Sequence, residues 1–382
     1  MRGGQYPSRQ WPRAGGETDP GAAEVTTRHY EVGYRQAALL AGFWDERTPA
    51  PVLSTTEVEN TLAALAASAA AAVAWWRIRK TELAGLETAQ PLRQTYRLQA
   101  LRAAFNQQQL AAILGAFERH AVPAVLVKGP VVAALYPEIG LRPYGDLDFY
   151  VPAACAPRAW DALAELPDRR LGVEIKTAHS FPSDQPAAEM IQRARCETIS
   201  GLPVLVPTPE DHLRLLCLHF VCHGGWRPLW LCDIALFLAR LPDSFDWDNF
   251  LCGNPLHLGW IRATLRLACE VLGAPEAVVP ERARLVTLPS WLIPALYRQW
   301  GSGTGQSALG PLERDSFSLR RTPRALAAEL RDRWSNPIQA SVALGVPFND
   351  LPRLPFQAAD TLRRAANRFA ARSGPTAKSG SA

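Results

Sequence analysis

Two aspartates two positions apart, Asp146 and Asp148, stand inside Arg142-Pro143-Tyr144-Gly145-Asp146-Leu147-Asp148-Phe149-Tyr150-Val151. The apolar residues around Asp148 predict a strand over 147–151. Side chains two apart on a strand share a face, separated by roughly 6.7 Å along it. Two Mg²⁺ ions in a phosphoryl-transfer site lie ~3.5–4 Å apart. Carboxylates at this spacing can share such a pair, one bridging both ions and the other completing one. Mg²⁺ takes oxygen ligands and keeps waters, so two or three carboxylates suffice. Upstream, the apolar run Val125-Leu126-Val127 ends in Lys128-Gly129-Pro130. Glycine there lets backbone N–H groups approach phosphate oxygens, and the helical segment that follows points its positive end to the same place. Pro130 removes one donor; Lys128 or Arg142 would supply the compensating charge. Each has a plainer reading as well, Lys128 as a solvated strand end and Arg142 as the partner of an aspartate.

Several elements must position these groups. Ala/Leu-rich composition predicts a helix from Glu57 to about Gly85. A second helix is predicted from Leu92 to His120, with Leu98, Leu101, Phe105, Leu110, Ile113, Leu114 and Phe117 at helical spacing. The period then shortens. Strands are expected at 124–127, 147–151, 173–177 and 204–206, with helices at 131–136 and 157–166, which makes a compact α/β unit. A helix begins after Thr208, an N-cap with Pro209 at the first helical position and Asp211 where a capping-box acid would lie. It ends at Gly224-Gly225. Further helices are expected at 229–241 and 260–272, with Pro-broken helices beyond.

Lys128-Gly129, a short helix with Leu135-Tyr136-Pro137, Gly140-Leu141-Arg142, and then Asp146-Leu147-Asp148 resemble the nucleotidyltransferase superfamily of the DNA polymerase beta type, in particular its bacterial branch of "nucleotidyltransferase family" proteins. The resemblance covers residues 125–177, and more loosely 208–240. It implies an α+β fold, a small mixed sheet flanked by N- and C-terminal helical regions. It implies Mg²⁺-dependent transfer of a nucleoside monophosphate from an NTP such as ATP to a hydroxyl-type acceptor, with two Mg²⁺ ions. By resemblance Asp146, Asp148 and Glu174 are the catalytic carboxylates and metal ligands. Lys128, Gly129, Arg142 and His219 would bind the nucleotide, and Asp233 would lie near the cleft. Related sequences often carry histidine where Lys176 stands here. That departure and Gly129-Pro130 support the alternative, a non-catalytic binding or scaffold protein that kept the fold.

His212, His219 and His223 fall on one helix face. They would pack across the cleft, contact nucleotide or acceptor, or bind metal, although no glutamate follows His219 as a zinc-protease helix requires. Tyr136 reads as core packing. Neither a Walker A loop nor Gly-x-Ser-x-Gly occurs, and Gly301 to Ser307 reads as a linker.

Of the 382 residues, 48% are hydrophobic and 20% charged, which provides a packed core and excludes bulk disorder. The net charge of +5 is uneven. From Arg320 onward eleven Lys/Arg face four Asp/Glu, so nucleic acid could be met only through this C-terminal region. The seven cysteines form no CxxC, which fits reduced thiols and a cytoplasmic setting. The first twenty residues lack the apolar stretch of a secretory signal. The most apolar run, Leu62 to Trp76, is shorter than the roughly 20 residues of a membrane span. The expected organisation is a disordered arm at 1–35, a helical region at 36–120, the core at 121–207, helical regions at 208–300 and 301–372, and a disordered tail at 373–382.

Overall fold

The computed structural model describes residues 20–167, 172–180, 183, 185–302 and 334–373. In chain order the helices are α1 (Pro20–Leu40), α2 (Thr55–Ala67), α3 (Ala71–Ile78), α4 (Gln90–Arg119), α5 (Gly129–Ala133), α6 (Ala156–Ala164), α7 (Ala187–Arg193) and α8 (Pro209–Cys222). They continue with α9 (Pro228–Ala239), α10 (Trp247–Phe250), α11 (Pro255–Leu272), α12 (Glu281–Arg284), α13 (Leu292–Gly301), α14 (Pro337–Ala343) and α15 (Leu354–Ser373). The strands are β1 (Val125–Val127), β2 (Asp146–Tyr150), β3 (Gly172–Lys176), β4 (Arg195–Ile199) and β5 (Leu202–Val206).

The sheet order is β3-β2-β1-β5-β4. β2 runs antiparallel to β1 and parallel to β3, and β1 runs parallel to β5. The fold is therefore α+β, a small mixed sheet within a mostly helical chain. Period-two alternation sorts the residues of β2. Leu147 and Phe149 enter a core with Leu110, Ile113 and Phe117 of α4 and Leu163 of α6. Tyr150 faces the opposite way, with Val125, Val127 and Leu215 of α8. Asp146 and Asp148 share the parity of Tyr150, so they look toward α8.

Four expectations change. Residues 20–35, expected within a flexible arm, are helical in α1, while residues 1–19 lie outside the described residues. The buried stripe that orders α1, with Val32, Gln36, Ala37, Leu39 and Leu40 at helical spacing, lies mostly beyond the expected arm. Gly33 lies so close to α13 that a Cβ would stand 1.9 Å from the Tyr297 carbonyl oxygen. Tyr30 and Tyr34 meet Tyr297 edge-on. The helix expected over 57–85 breaks into α2 and α3, with Ala69 at φ 59. Every residue from Ala70 to Ala74 is buried, so the chain enters the core directly after this break, where alanine content alone favours continuation of the helix. In α4, Leu98, Leu101 and Phe105 are exposed although Leu110, Ile113 and Phe117 are core. Only the C-terminal half of α4 lies on the sheet core. Finally, β4 was not foreseen. It pairs with β5 across Ser200-Gly201, both at positive φ, a two-residue hairpin whose Ser-Gly pair was its only sequence signal.

Thr208 caps α8 by accepting from the Asp211 N–H, as its sequence predicts, but Asp211 forms no reciprocal cap. Its carboxylate is taken by Arg193, at 2.8 Å and 3.0 Å. Of the C-terminal basic residues, Arg353 stacks on Trp291 and Phe356, and Arg363 and Arg364 pair with Asp360. Residues 303–333 and 374–382, which hold most of the proposed linker and tail, lie outside the described residues. No helix among the described residues is long and apolar enough to cross a membrane.

Candidate functional site

A cavity of about 550 Å³ opens between the sheet edge, α4 and the helix pair α8–α9. Lys128, Gly129, Arg142, Asp146, Asp148, Glu174 and His219 all line it. The sequence therefore found one place. Lys176, His223, Arg227 and Trp230 line it too.

The carboxylates are assembled by register. Asp148 pairs with Glu174, and Asp146 with Gly172. Residues opposite each other on parallel neighbours point to the same face, so Glu174 joins the two aspartates without lying near them in sequence. Their surroundings differ. Asp146 is exposed to the cavity, and no cation among the described residues forms a salt bridge with it. Asp148 is 6% exposed and held from two sides. The Lys128 Nζ lies 3.0 Å from Oδ2, and Lys176 donates to Oδ1. Burial pushes the Asp148 carboxyl up, but the two ammonium groups outweigh it and hold it below the ordinary carboxylate range. For Lys128 burial prevails and its pKa is lowered. For Lys176 the carboxylates prevail over burial and its pKa is raised.

Among the described residues no group of three or more His, Cys, Asp and Glu forms a ready metal cage. The donor chemistry still suits one hard divalent ion. Asp146 offers oxygens on the cavity face that no cation among the described residues pairs, and an ionised carboxylate has about four lone-pair sites, so Asp148 keeps acceptor capacity beside its lysines.

The turn after β1 is tighter than the sequence suggests. Lys128 itself has φ 55 and ψ −141, a conformation that costs a non-glycine residue about 1–3 kcal/mol. Its N–H donates to His212 Nε2 at 3.2 Å, and its carbonyl accepts from the Val131 and Val132 N–H groups. Three amides of the turn are thus engaged and Pro130 has none, so the expected run of phosphate-facing N–H groups does not form. α5 has only five residues, too short for the expected dipole. Side-chain cations and the single Gly129 N–H are the phosphate-binding groups that remain.

Arg142 is not free for that task. Its Nη2 donates to Asp233 Oδ2 at 2.9 Å and its Nε to Oδ1 at 3.2 Å, and the Tyr136 hydroxyl donates to Oδ1 at 2.7 Å. Asp233 is fully buried and does not reach the cavity, so it anchors α9 to the loop before β2. Tyr136 packs against Phe43, as expected for a core residue. Arg227 is a cation that sequence reading missed, as is Arg102 of α4, which also lines the cavity. Arg227 lies over Trp226 and Trp230, and its Nε is buried without a hydrogen-bond partner among the described residues. Burial and Arg142 together lower its pKa.

The three histidines divide. His219 and His223 line the cavity and touch each other and Trp230. Burial pushes both down, His219 well below its ordinary value. His212 lies beneath Lys128, where burial pushes it down to about 3. Accepting the Lys128 N–H requires the neutral ring with its proton on Nδ1. A histidine near 3 folded and near 6.5 unfolded binds more protons unfolded between those values. Stability should therefore hold above about pH 6.5 and fall on acidification, by up to about 1.4 kcal/mol per pH unit per histidine. Urea unfolding across that range checks this; a midpoint flat down to about pH 5 would contradict it.

No curated protein and no solved structure matches the chain. A family described as uncharacterised nucleotidyltransferase matches residues 54–177 and 167–253. The matched stretch runs from α2 to the end of α10, holds every cavity residue named above, and covers more than half of the sequence. The chain belongs to this nucleotidyltransferase family.

Proposed function

We propose that the chain is a Mg²⁺-dependent nucleotidyltransferase with a core of the DNA polymerase beta type. It transfers a nucleoside monophosphate from an NTP to a hydroxyl-type acceptor. The observation that carries this reading is the convergence of Asp146, Asp148 and Glu174 on the cavity that Lys128 and Arg227 also line. Asp146 and Asp148 would hold the divalent ion, which supplies Lewis-acid polarisation of the phosphate when bound. Arg227 and Lys128 would oppose the triphosphate charge. Glu174, exposed at the cavity, would take the proton of the acceptor hydroxyl. The acceptor oxygen bonds to the α-phosphorus, the bond to the bridging oxygen breaks, and pyrophosphate leaves with that electron pair. His219, neutral and beside Trp230, would bound the nucleotide as a hydrogen-bonding wall.

The second reading is a non-catalytic binding protein. It is favoured by the two lysines on Asp148 and by the engaged amides of the turn. Thermal unfolding with each NTP and Mg²⁺ separates the two. Catalysis predicts a rise in midpoint that depends on both, and at 100 times Kd the stabilisation is about 2.7 kcal/mol. A well-folded chain unmoved by every NTP would leave the non-catalytic scaffold.

A further inference from the structure

Lys176 has no part in the transfer chemistry above, yet it occupies the middle of the site. β2 and β3 place Asp148 opposite Glu174 and Tyr150 opposite Lys176. All four residues therefore share one face. The lysine folds back along its strand and sets its Nζ between the two in-register carboxylates. It lies 2.9 Å from Glu174 Oε2 and donates to Asp148 Oδ1. A divalent ion bridging Asp148 and Glu174 would need the same volume. Building on the nucleotidyltransferase reading, we infer that the Lys176 ammonium is a built-in cation replacing a second divalent ion, so that the site loads only one.

Charge and geometry agree on this. Asp146, Asp148, Glu174, Lys128 and Lys176 together carry a net charge of −1. One divalent ion beside Asp146 is attracted to that set, whereas a second would meet an excess of positive charge at close range. Lysine is a compact point charge on a flexible stem, able to neutralise two carboxylates without coordination geometry. The exposures fit as well. The Lys176 side chain is 17% exposed and that of Glu174 is 56% exposed, so the cation is the inner group and Glu174 the outer one. Glu174 is then positioned by Lys176 rather than by metal.

The test counts Mn²⁺ bound per full-length chain, from the electron paramagnetic resonance signal of the free ion. Circular dichroism checks that each variant is folded. Lys176→Gln should bind one more Mn²⁺ than the wild type, and the double variant with Glu174→Gln should lose that added ion. Glu174→Gln alone should change Mn²⁺ affinity less than twofold. Equal counts in wild type and Lys176→Gln, two ions in the wild type, or a tenfold loss on Glu174→Gln would overturn the inference. No NTP is needed for any of these counts. A failure here is thus separate from a failure of NTP to bind, which would bear on the transferase reading.

Discussion

Asp146→Asn is expected to lower NTP turnover by at least about 10³-fold while the fold stays intact. A loss of that size corresponds to about 4 kcal/mol of transition-state stabilisation, within reach of one group facing developing charge. Two observations make Asp146 the cleaner of the two aspartates to change. It faces the cavity from an exposed position at the start of β2, and no salt bridge among the described residues depends on it. Removing its charge therefore strips the proposed metal ligand without releasing a buried partner. Asp148→Asn would release Lys128 and Lys176 at once and mix a structural effect with a chemical one. Pyrophosphate release from NTP with Mg²⁺, measured beside a melting curve, reads both quantities. Turnover near the wild-type rate in a folded Asp146→Asn chain would remove the transferase assignment.

Asp233→Ala should cause the largest loss of stability, about 3–5 kcal/mol, because it leaves the buried Arg142 charge without its partner. It also takes the acceptor from the Tyr136 hydroxyl. Arg142 is 7% exposed and Asp233 fully buried, so water compensates neither. The pair joins α9 to the loop that leads into β2, and the loss should therefore reach the cavity as well as the core. Urea unfolding at neutral pH measures it. Replacing both partners with apolar residues of similar volume should recover much of the loss, since the cost lies in the orphaned charge rather than in the missing pair. A loss below about 1 kcal/mol for Asp233→Ala would mean that Arg142 finds another acceptor.

Much of the site is local and therefore legible in sequence. The apolar run ending in Lys128-Gly129 is β1 and its turn, and the alternation around Asp146 and Asp148 places both on one face of β2. The Thr208-Pro209 start of α8 is read in the same way, from residues a few positions apart. These features follow from the period of a strand and the chemistry of a cap, which neighbours in the chain fix among themselves. The same alternation of short strands and helices gave a compact α/β unit, and the family resemblance implied the α+β architecture.

What tertiary structure decided is the partner of each charge. Glu174 joins Asp148 only through the β2–β3 register. Lys176 reaches Asp148 by the same pairing, across 28 positions of sequence. Arg142 could face phosphate or pair with an aspartate on sequence alone; Asp233, 91 positions away, takes it. His212 gives up any role in the cavity to accept the N–H of a strained Lys128. α1 is ordered by packing on distant segments, with Gly33 against the Tyr297 carbonyl and Leu39 and Leu40 in the helical core. The physical reason is common to all of these. Side-chain periodicity is set within a few residues, whereas register and buried charge pairing are set by whichever distant segment shares the same low-dielectric space.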